Sequence, residues 1–495
     1  MSKQNGGIIG PDNVPTGAFG AASGVWKLSD VTDYKRQGTW PVPLSGHQVA
    51  NSCRFNDGSS DYLTRTPSSA GNRDKWTYSA WVKRSNLTGV YQTIIQASDT
   101  GSPQNSEYLY FNSDETLYLH LYSAGAVYGK LYTNRKFRDV SAWYHIVIIY
   151  DSGNSTSSDR LQMYINGVRE TSFSTALYPS QNADSVMTLA SGGIDIGRDG
   201  SASGSGYYDG YMAEVCLIDG QALTPTSFGE TDSVTNNWVP KVVTGLTFGT
   251  TGFYLDFKDS SALGNDAAGS NNFTANNLTS LDQSIDTCTN NFANINLLYA
   301  GLNANFGLSE GNLKGLNSGA GDNNYVNNFG VSSGKWYVEA KATMSGNAYG
   351  TIGIVATDSV LQTNGSWLGS TNDSWYYSQN GHIGTNGGST STGHATYTTG
   401  DIISVALNLD DNELLWYKNG AVQNSGTATS ITANKTYFIG GRVYDTSTGW
   451  EFNFGSPMYA ISSGNTDGNG FGNFEYAVPS GYLSLNTKNL AAVLA

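Results

Sequence analysis

Apolar and polar positions alternate with a period of two along much of the chain. Trp76, Tyr78, Ala80 and Val82 fall on one side of such a run. Leu117, Leu119 and Leu121 alternate with Tyr118, His120 and Tyr122. Tyr144, Ile146, Ile148 and Tyr150 form another run, and Leu161, Met163 and Ile165 a fourth. Successive side chains of a strand point to opposite faces, so each run predicts a strand with one buried face. Asn166-Gly167 supplies the two positive-φ positions of a tight hairpin turn, and Val168 starts the return strand. The alternation resumes from about residue 325. Trp336, Val338 and Ala340 oppose Tyr337, Glu339 and Lys341, and Ile403, Val405, Leu407 and Leu409 follow. Leu414 to Lys418 leads into a second Asn-Gly turn at Asn419-Gly420, and Trp450 to Gly455 reads as a late core strand. The pattern predicts an all-β protein with two antiparallel β-sandwiches in tandem, over residues 46–235 and 321–460.

The remaining segments break the pattern. Residues 1–45 read as an irregular N-terminal arm, turn-rich at Gly6-Gly7-Ile8-Ile9-Gly10-Pro11 and extended at Trp40-Pro41-Val42-Pro43. The arm carries Ile8, Ile9, Phe19, Trp26 and Trp40, which a solvated linker would not. They read either as an anchor for a partner or as packing on the arm's own chain. Residues 236–320 read as a bridge of loop composition with one strand-like piece, Phe253 to Phe257. Residues 461–495 read as an extended C-terminal segment.

Composition narrows the classes. Of 495 residues, 60 are Gly and 31 are Tyr, while charged residues make up 13%. Sparse charge with many turn formers suits strands and argues against helix bundles and coiled coils. The formal net charge of −14, with no Lys/Arg-rich block, disfavours nucleic acid and anionic membranes as partners. No apolar stretch approaches the roughly 18 residues of a spanning helix. The first residues carry no apolar signal-peptide core, which predicts synthesis in a cytoplasm without the usual secretory route. Cys53, Cys216 and Cys288 are odd in number and lack C-x-x-C spacing, so they read as small buried side chains.

Phe55-Asn56-Asp57-Gly58-Ser59-Ser60-Asp61-Tyr62-Leu63 resembles the opening strand and turn of concanavalin-A-like, laminin-G-type domains. Trp81-Val82-Lys83, Trp143 to Val147, Leu161 to Gly167, Tyr211 to Val215 and Ile218 to Pro225 continue that resemblance in order. The later half resembles a SPRY domain through Gly334 to Glu339, Gly353-Ile354-Val355, Gly400 to Leu409 and Leu415 to Gly420. Both resemblances imply concanavalin-like jelly rolls. Together with the arm and the bridge piece Thr289-Asn290-Asn291-Phe292-Ala293, the order is similar to virion proteins of tailed bacteriophages, especially marine ones. That likeness implies location in the virion after synthesis in the host cytoplasm. It also implies virion proteins as partners of the arm, host-surface polysaccharide as the target, and a homo-oligomer, trimeric if a fibre.

Candidate chemistry follows from these expectations. Retaining glucanases of concanavalin-like fold place Glu-x-Asp-x-x-Glu on one strand, and no such run is present; Glu230-Thr231-Asp232 lacks the second Glu. His47, His120, His145, His382 and His394 sit in no motif that positions a Ser or Cys nucleophile. The expectation is a non-enzyme without a required cofactor. Calcium is the one metal to weigh, because laminin-G-like rims often hold it with loop oxygens; Asp99, Asn105 and Glu107 are candidates, with Asp195 and Asp199 around a second loop. Glycan recognition needs flat aromatic surfaces beside Asn/Asp, because a sugar offers both C–H faces and hydroxyls. Trp367, Asn372, Asp373 and Tyr376 fit that need best, and Tyr207 more weakly. Alternation of Trp375 and Tyr377 into a core is the competing reading of that segment. The function expected is a non-enzymatic tail-fibre or spike adhesin that recognises host-surface glycan. A head-decoration or tail component making protein contacts is the alternative, and an envelope depolymerase is a third reading that the carboxylate survey disfavours.

Overall fold

The alternating runs are strands in a computed structural model that describes residues 47–87, 90–99, 102–190, 192–200, 205–232, 235–243, 245–299, 306–344, 350–359 and 366–494. Two compact units result. Of the described residues, one holds 47–289 together with Leu308–Asn312, and the other holds 290–299, 306–307 and those from Leu313 onward.

The first unit packs two antiparallel sheets. One runs, in spatial order, Val168–Arg169, Leu161–Ile165, Tyr144–Asp151, Lys75–Arg84, Gly210–Asp219, Ser52–Phe55 and Gln283–Ser284. The other runs Phe173–Leu177, Ala126–Lys136, Thr116–Ser123, Ser102–Phe111, Gln92–Asp99, Gly192–Ile196, Tyr62–Arg65 and Thr274–Asn276. Trp76, Tyr78, Ala80 and Val82 from the first sheet meet Ile95, Leu109, Leu117, Leu119, Leu121 and Leu131 from the second in one buried core. A hairpin outside the sandwich pairs Gly229–Thr231 with Trp238–Pro240. The Asn166-Gly167 turn has φ of 49° and 78°, as its hairpin requires, and Asn419-Gly420 repeats this in the second unit with 47° and 78°.

The stretch expected as a bridge over 236–320 is divided, and most of it belongs to the first sandwich. Phe253–Leu255 pairs with the central strand Gly210–Asp219, Thr274–Asn276 adds to one sheet edge, and Gln283–Ser284 pairs with Ser52–Phe55. Strands of two or three residues are too short to show a period, yet Phe253, Leu255, Phe257, Leu263 and Phe273 fill the core.

In the second unit one sheet runs Lys314–Asn317, Gly449–Asn453, Lys335–Thr343, Ile402–Asn408, Glu413–Lys418 and Ala421–Val422. The facing sheet runs Asn323–Val326, Tyr437–Val443, Thr351–Ala356, Ser374–Ser378, Ile383–Thr385 and Gly388–Ser391. Rings join them across the core: Tyr325 on Phe452 at 6.0 Å and Tyr377 on Trp416 at 6.0 Å. The extended segment expected over 461–495 ends instead in an α-helix, Thr487–Leu494. Asn486 starts it, its Oδ1 accepting the Asn489 N–H at 3.0 Å. An eight-residue helix gives too few turns for a periodic signal. Cys53 and Cys216 are buried, whereas Cys288 is only partly so. Among the described residues no helix is long and apolar enough to cross a membrane.

Candidate functional site

Three adjacent strands of the first unit, Ser102–Phe111, Thr116–Ser123 and Ala126–Lys136, turn aliphatic side chains into the core. The same parity turns aromatic side chains outward, because neighbours along a strand face opposite ways. Register then assembles rows: Tyr110 lies opposite Tyr118, and Tyr118 opposite Tyr132; Tyr108 lies opposite His120, and His120 opposite Lys130. Tyr118 and Tyr132 stack at 3.7 Å, Tyr110 tilts against Tyr118 at 5.5 Å, and His120 stacks on Tyr122 at 4.2 Å. Tyr91 closes one side with its edge against Tyr110 at 5.6 Å, its hydroxyl donating to Asp199 Oδ2 at 3.2 Å. A depression of about 450 Å³ is lined by Tyr91, Tyr108, Tyr110, Asn112, His120, Tyr122 and Asp199.

The surface is nearly uncharged. Burial, with a smaller push from Lys130, lowers the His120 pKa to about 4, so the imidazole is neutral at physiological pH. Burial raises the Tyr132 phenol to about 12 and pushes that of Tyr110 up as well, so these hydroxyls remain protonated donors. Half-buried rings fixed by their neighbours, with phenol and amide groups between them, can stack on an apolar ring face and hydrogen-bond its substituents. Asp199 is the single carboxylate in the lining, whereas glycoside cleavage normally uses two.

The residues expected from sequence lie elsewhere. Trp367 is half-buried, with the Arg442 guanidinium 4.8 Å over its ring and Tyr376 edge-on at 5.2 Å. Tyr376, expected as a contact residue, is only 5% exposed and belongs to the packing. Trp375 and Tyr377 are buried too. Asn372 is exposed, while Asp373 accepts the Thr432 hydroxyl at 2.6 Å and pairs with Lys435 at 3.4 Å. The segment thus brings Trp367 and Tyr376 together as packing partners, with Asp373 engaged by its own neighbours. Tyr207 is half-buried and 6.4 Å from Tyr62, a separate small aromatic pair.

The proposed calcium trio is split. Asn105 donates to Asp99 at 3.3 Å, but Glu107 is buried in the core. Its carboxylate accepts from Tyr128, from the Ser185 hydroxyl at 2.8 Å and from the Val186 N–H at 2.9 Å, which leaves it engaged inside the sandwich. Asp195 is buried beside Arg198 at 3.4 Å, and Asp199 holds Tyr91. Among the described residues no group of three or more His, Cys, Asp or Glu is arranged to hold a metal ion. Ile8, Ile9, Phe19, Trp26 and Trp40 lie outside the described residues.

Sequence reasoning read Leu117, Leu119 and Leu121 as a core face and passed over the aromatic face opposite. The signal was there, with Tyr108 and Tyr110 on one strand, Tyr118, His120 and Tyr122 on the next and Tyr132 on the third.

The facing antiparallel sheets in each unit define concanavalin-like β-sandwiches. Residues 57–227 match the Concanavalin A-like lectin/glucanases superfamily through its laminin-G-type member, and residues 335–456 match the SPRY domain. Solved structures of similar fold include the SPRY domain of human HERC1, with 19% identity over 28% of this chain and 87% of that one, at a TM-score of 0.24. The heptameric SAP-like pentraxin of Limulus polyphemus is 16% identical over 36% of this chain and 80% of its own, at a TM-score of 0.28. A provisionally assigned carbohydrate-binding protein of Bacteroides ovatus is 17% identical over 46% of this chain and 59% of its own, at a TM-score of 0.31. Among curated proteins, none matches the chain.

Proposed function

We propose that the chain is a non-enzymatic glycan-binding adhesin, and that it serves a tailed bacteriophage as a tail fibre or spike protein. In this reading the tyrosine face of the first sandwich holds host-surface polysaccharide. The first 45 residues, rich in turns and large apolar side chains, anchor the protein to other virion components. The assembled form is a homo-oligomer, trimeric if a fibre, so that weak single sites act together.

The observation that carries the binding role is the row of cross-strand rings around the depression of Tyr108, Tyr110, His120 and Tyr122. Its rings are ordered before a ligand arrives, which lowers the entropic cost of stacking. A neutral His120 and a single lining carboxylate support binding without cleavage. The virion assignment is supported by the tandem order of the two domains and the composition of the arm.

The test is binding of the full chain to an array of bacterial surface polysaccharides, repeated with Tyr110→Ala and Tyr122→Ala. A captured polysaccharide whose affinity falls about tenfold in each variant is the expected result, since each ring removed costs about 1.4 kcal/mol of stacking. Full binding by both variants would remove the tyrosine face from the site. Capture of virion particles but of no polysaccharide would replace adhesion with a structural role in the virion.

A further inference from the structure

The opposite sheet of the same sandwich carries a second pocket, of about 540 Å³, within the range of small-ligand sites. Three indoles line it: Trp81, Trp143 and Trp238. Asn166, Asn236 and Asn237 stand around them.

The two outer indoles are held rigidly. Trp238 donates its N–H to His145 Nδ1 at 2.9 Å, and Trp143 donates to Asp286 Oδ1 at 3.2 Å. Gly167 and Gly229 make room for Trp238: a Cβ on Gly167 would fall 2.5 Å from the indole, and one on Gly229 would fall 2.6 Å from it. The third indole is different. Trp81 is 4% exposed, stacks on His145 at 4.8 Å, and its N–H has no acceptor among the described residues. Asn236 and Asn237 are exposed, and Asn166 accepts the backbone N–H of His145 through Oδ1, which leaves its NH₂ as a donor. None of the lining side chains is ionisable.

We propose that this pocket is a second ligand site, built for an uncharged pyranose. The fixed, partly exposed indoles of Trp143 and Trp238 suit the apolar C–H groups of a sugar ring, the asparagine amides suit its hydroxyls, and the absence of a lining charge discriminates against uronic and sialic acids. The inference makes no use of the tyrosine face and stands or falls separately from it.

The test uses the full chain with methyl glycosides of glucose, galactose, mannose and N-acetylglucosamine as probes, and glucuronic acid as the anionic control. Saturation-transfer NMR and tryptophan fluorescence report binding. Asn237→Ala alters only an exposed amide, and Val168→Glu places bulk and charge at a lining position that is 66% exposed, so neither threatens the fold. At least one neutral glycoside is expected to bind, about tenfold more weakly in Asn237→Ala and not measurably in Val168→Glu. Tyr122→Ala should leave that titration unchanged. No response to any neutral glycoside, a response indifferent to both pocket variants, or equal binding of glucuronic acid would overturn the proposal.

Discussion

Replacing His145 with glutamine should flatten the acid side of the stability profile of the first sandwich. His145 is fully buried, with one face on Trp81. Trp238 donates to Nδ1, so the ring proton must sit on Nε2, 2.9 Å from Ser79 Oγ. Protonating Nδ1 would set two donors against each other as well as bury a charge. Burial lowers the pKa from 6.5 to about 3. In that window the unfolded chain binds a proton that the native state refuses, so stability falls as pH drops from about 6.5 towards 3 and is flat above. Each pH unit costs about 1.4 kcal/mol, so going from pH 7 to pH 4.5 removes about 3 kcal/mol through this residue alone. Urea unfolding at the two pH values, followed by tryptophan fluorescence, gives the difference for the wild type and for His145→Gln. Other groups titrate alike in both proteins and cancel. The wild type should lose about 3 kcal/mol more than the variant on acidification. Equal losses would mean that His145 is not held neutral, and the arrangement around Trp238 would need another explanation.

Asp286 holds Lys83 at 2.7 Å, with both side chains buried, and also accepts the Trp143 N–H. Asp286→Ala should therefore cost about 3–5 kcal/mol and lower the melting temperature of the first unit by about 10 °C, whereas Lys83→Met combined with Asp286→Leu should recover most of it. Calorimetry of the three proteins separates these outcomes. Trp367→Ala should act on stability and not on recognition: it strips Arg442 and Tyr376 of a packed ring, costing the second unit about 2 kcal/mol, while polysaccharide capture stays unchanged.

The frame of the fold was legible because a period of two survives wherever a strand is long and one face is buried. Thr116–Ser123 and Leu161–Ile165 show it, whereas Lys75–Arg84 and Tyr144–Asp151 are buried on both faces; Asn166-Gly167 and Asn419-Gly420 mark hairpin turns without help from tertiary structure. The strand-like piece at Phe253 was legible too, but legibility failed where the element was too short to have a period, at Thr274–Asn276, at Gln283–Ser284 and at the terminal helix. It failed differently for the site. At Trp367 indole, Asn and Asp are adjacent in sequence, yet adjacency along a chain does not say what lies over a ring, and here Arg442 does. The tyrosine face has the opposite character. No single strand carries more than a few rings, and only the register that sets Tyr110, Tyr118 and Tyr132 side by side makes them one surface. The Trp81 pocket is further still from sequence, since Trp81, Trp143 and Trp238 meet through a hairpin outside the sandwich. A binding surface assembled across strands is a property of pairing, so its residues become readable only after the sheet order is known. The core-facing leucines that fix the parity of those strands are therefore also what places the aromatic rings on the outer face of the sheet.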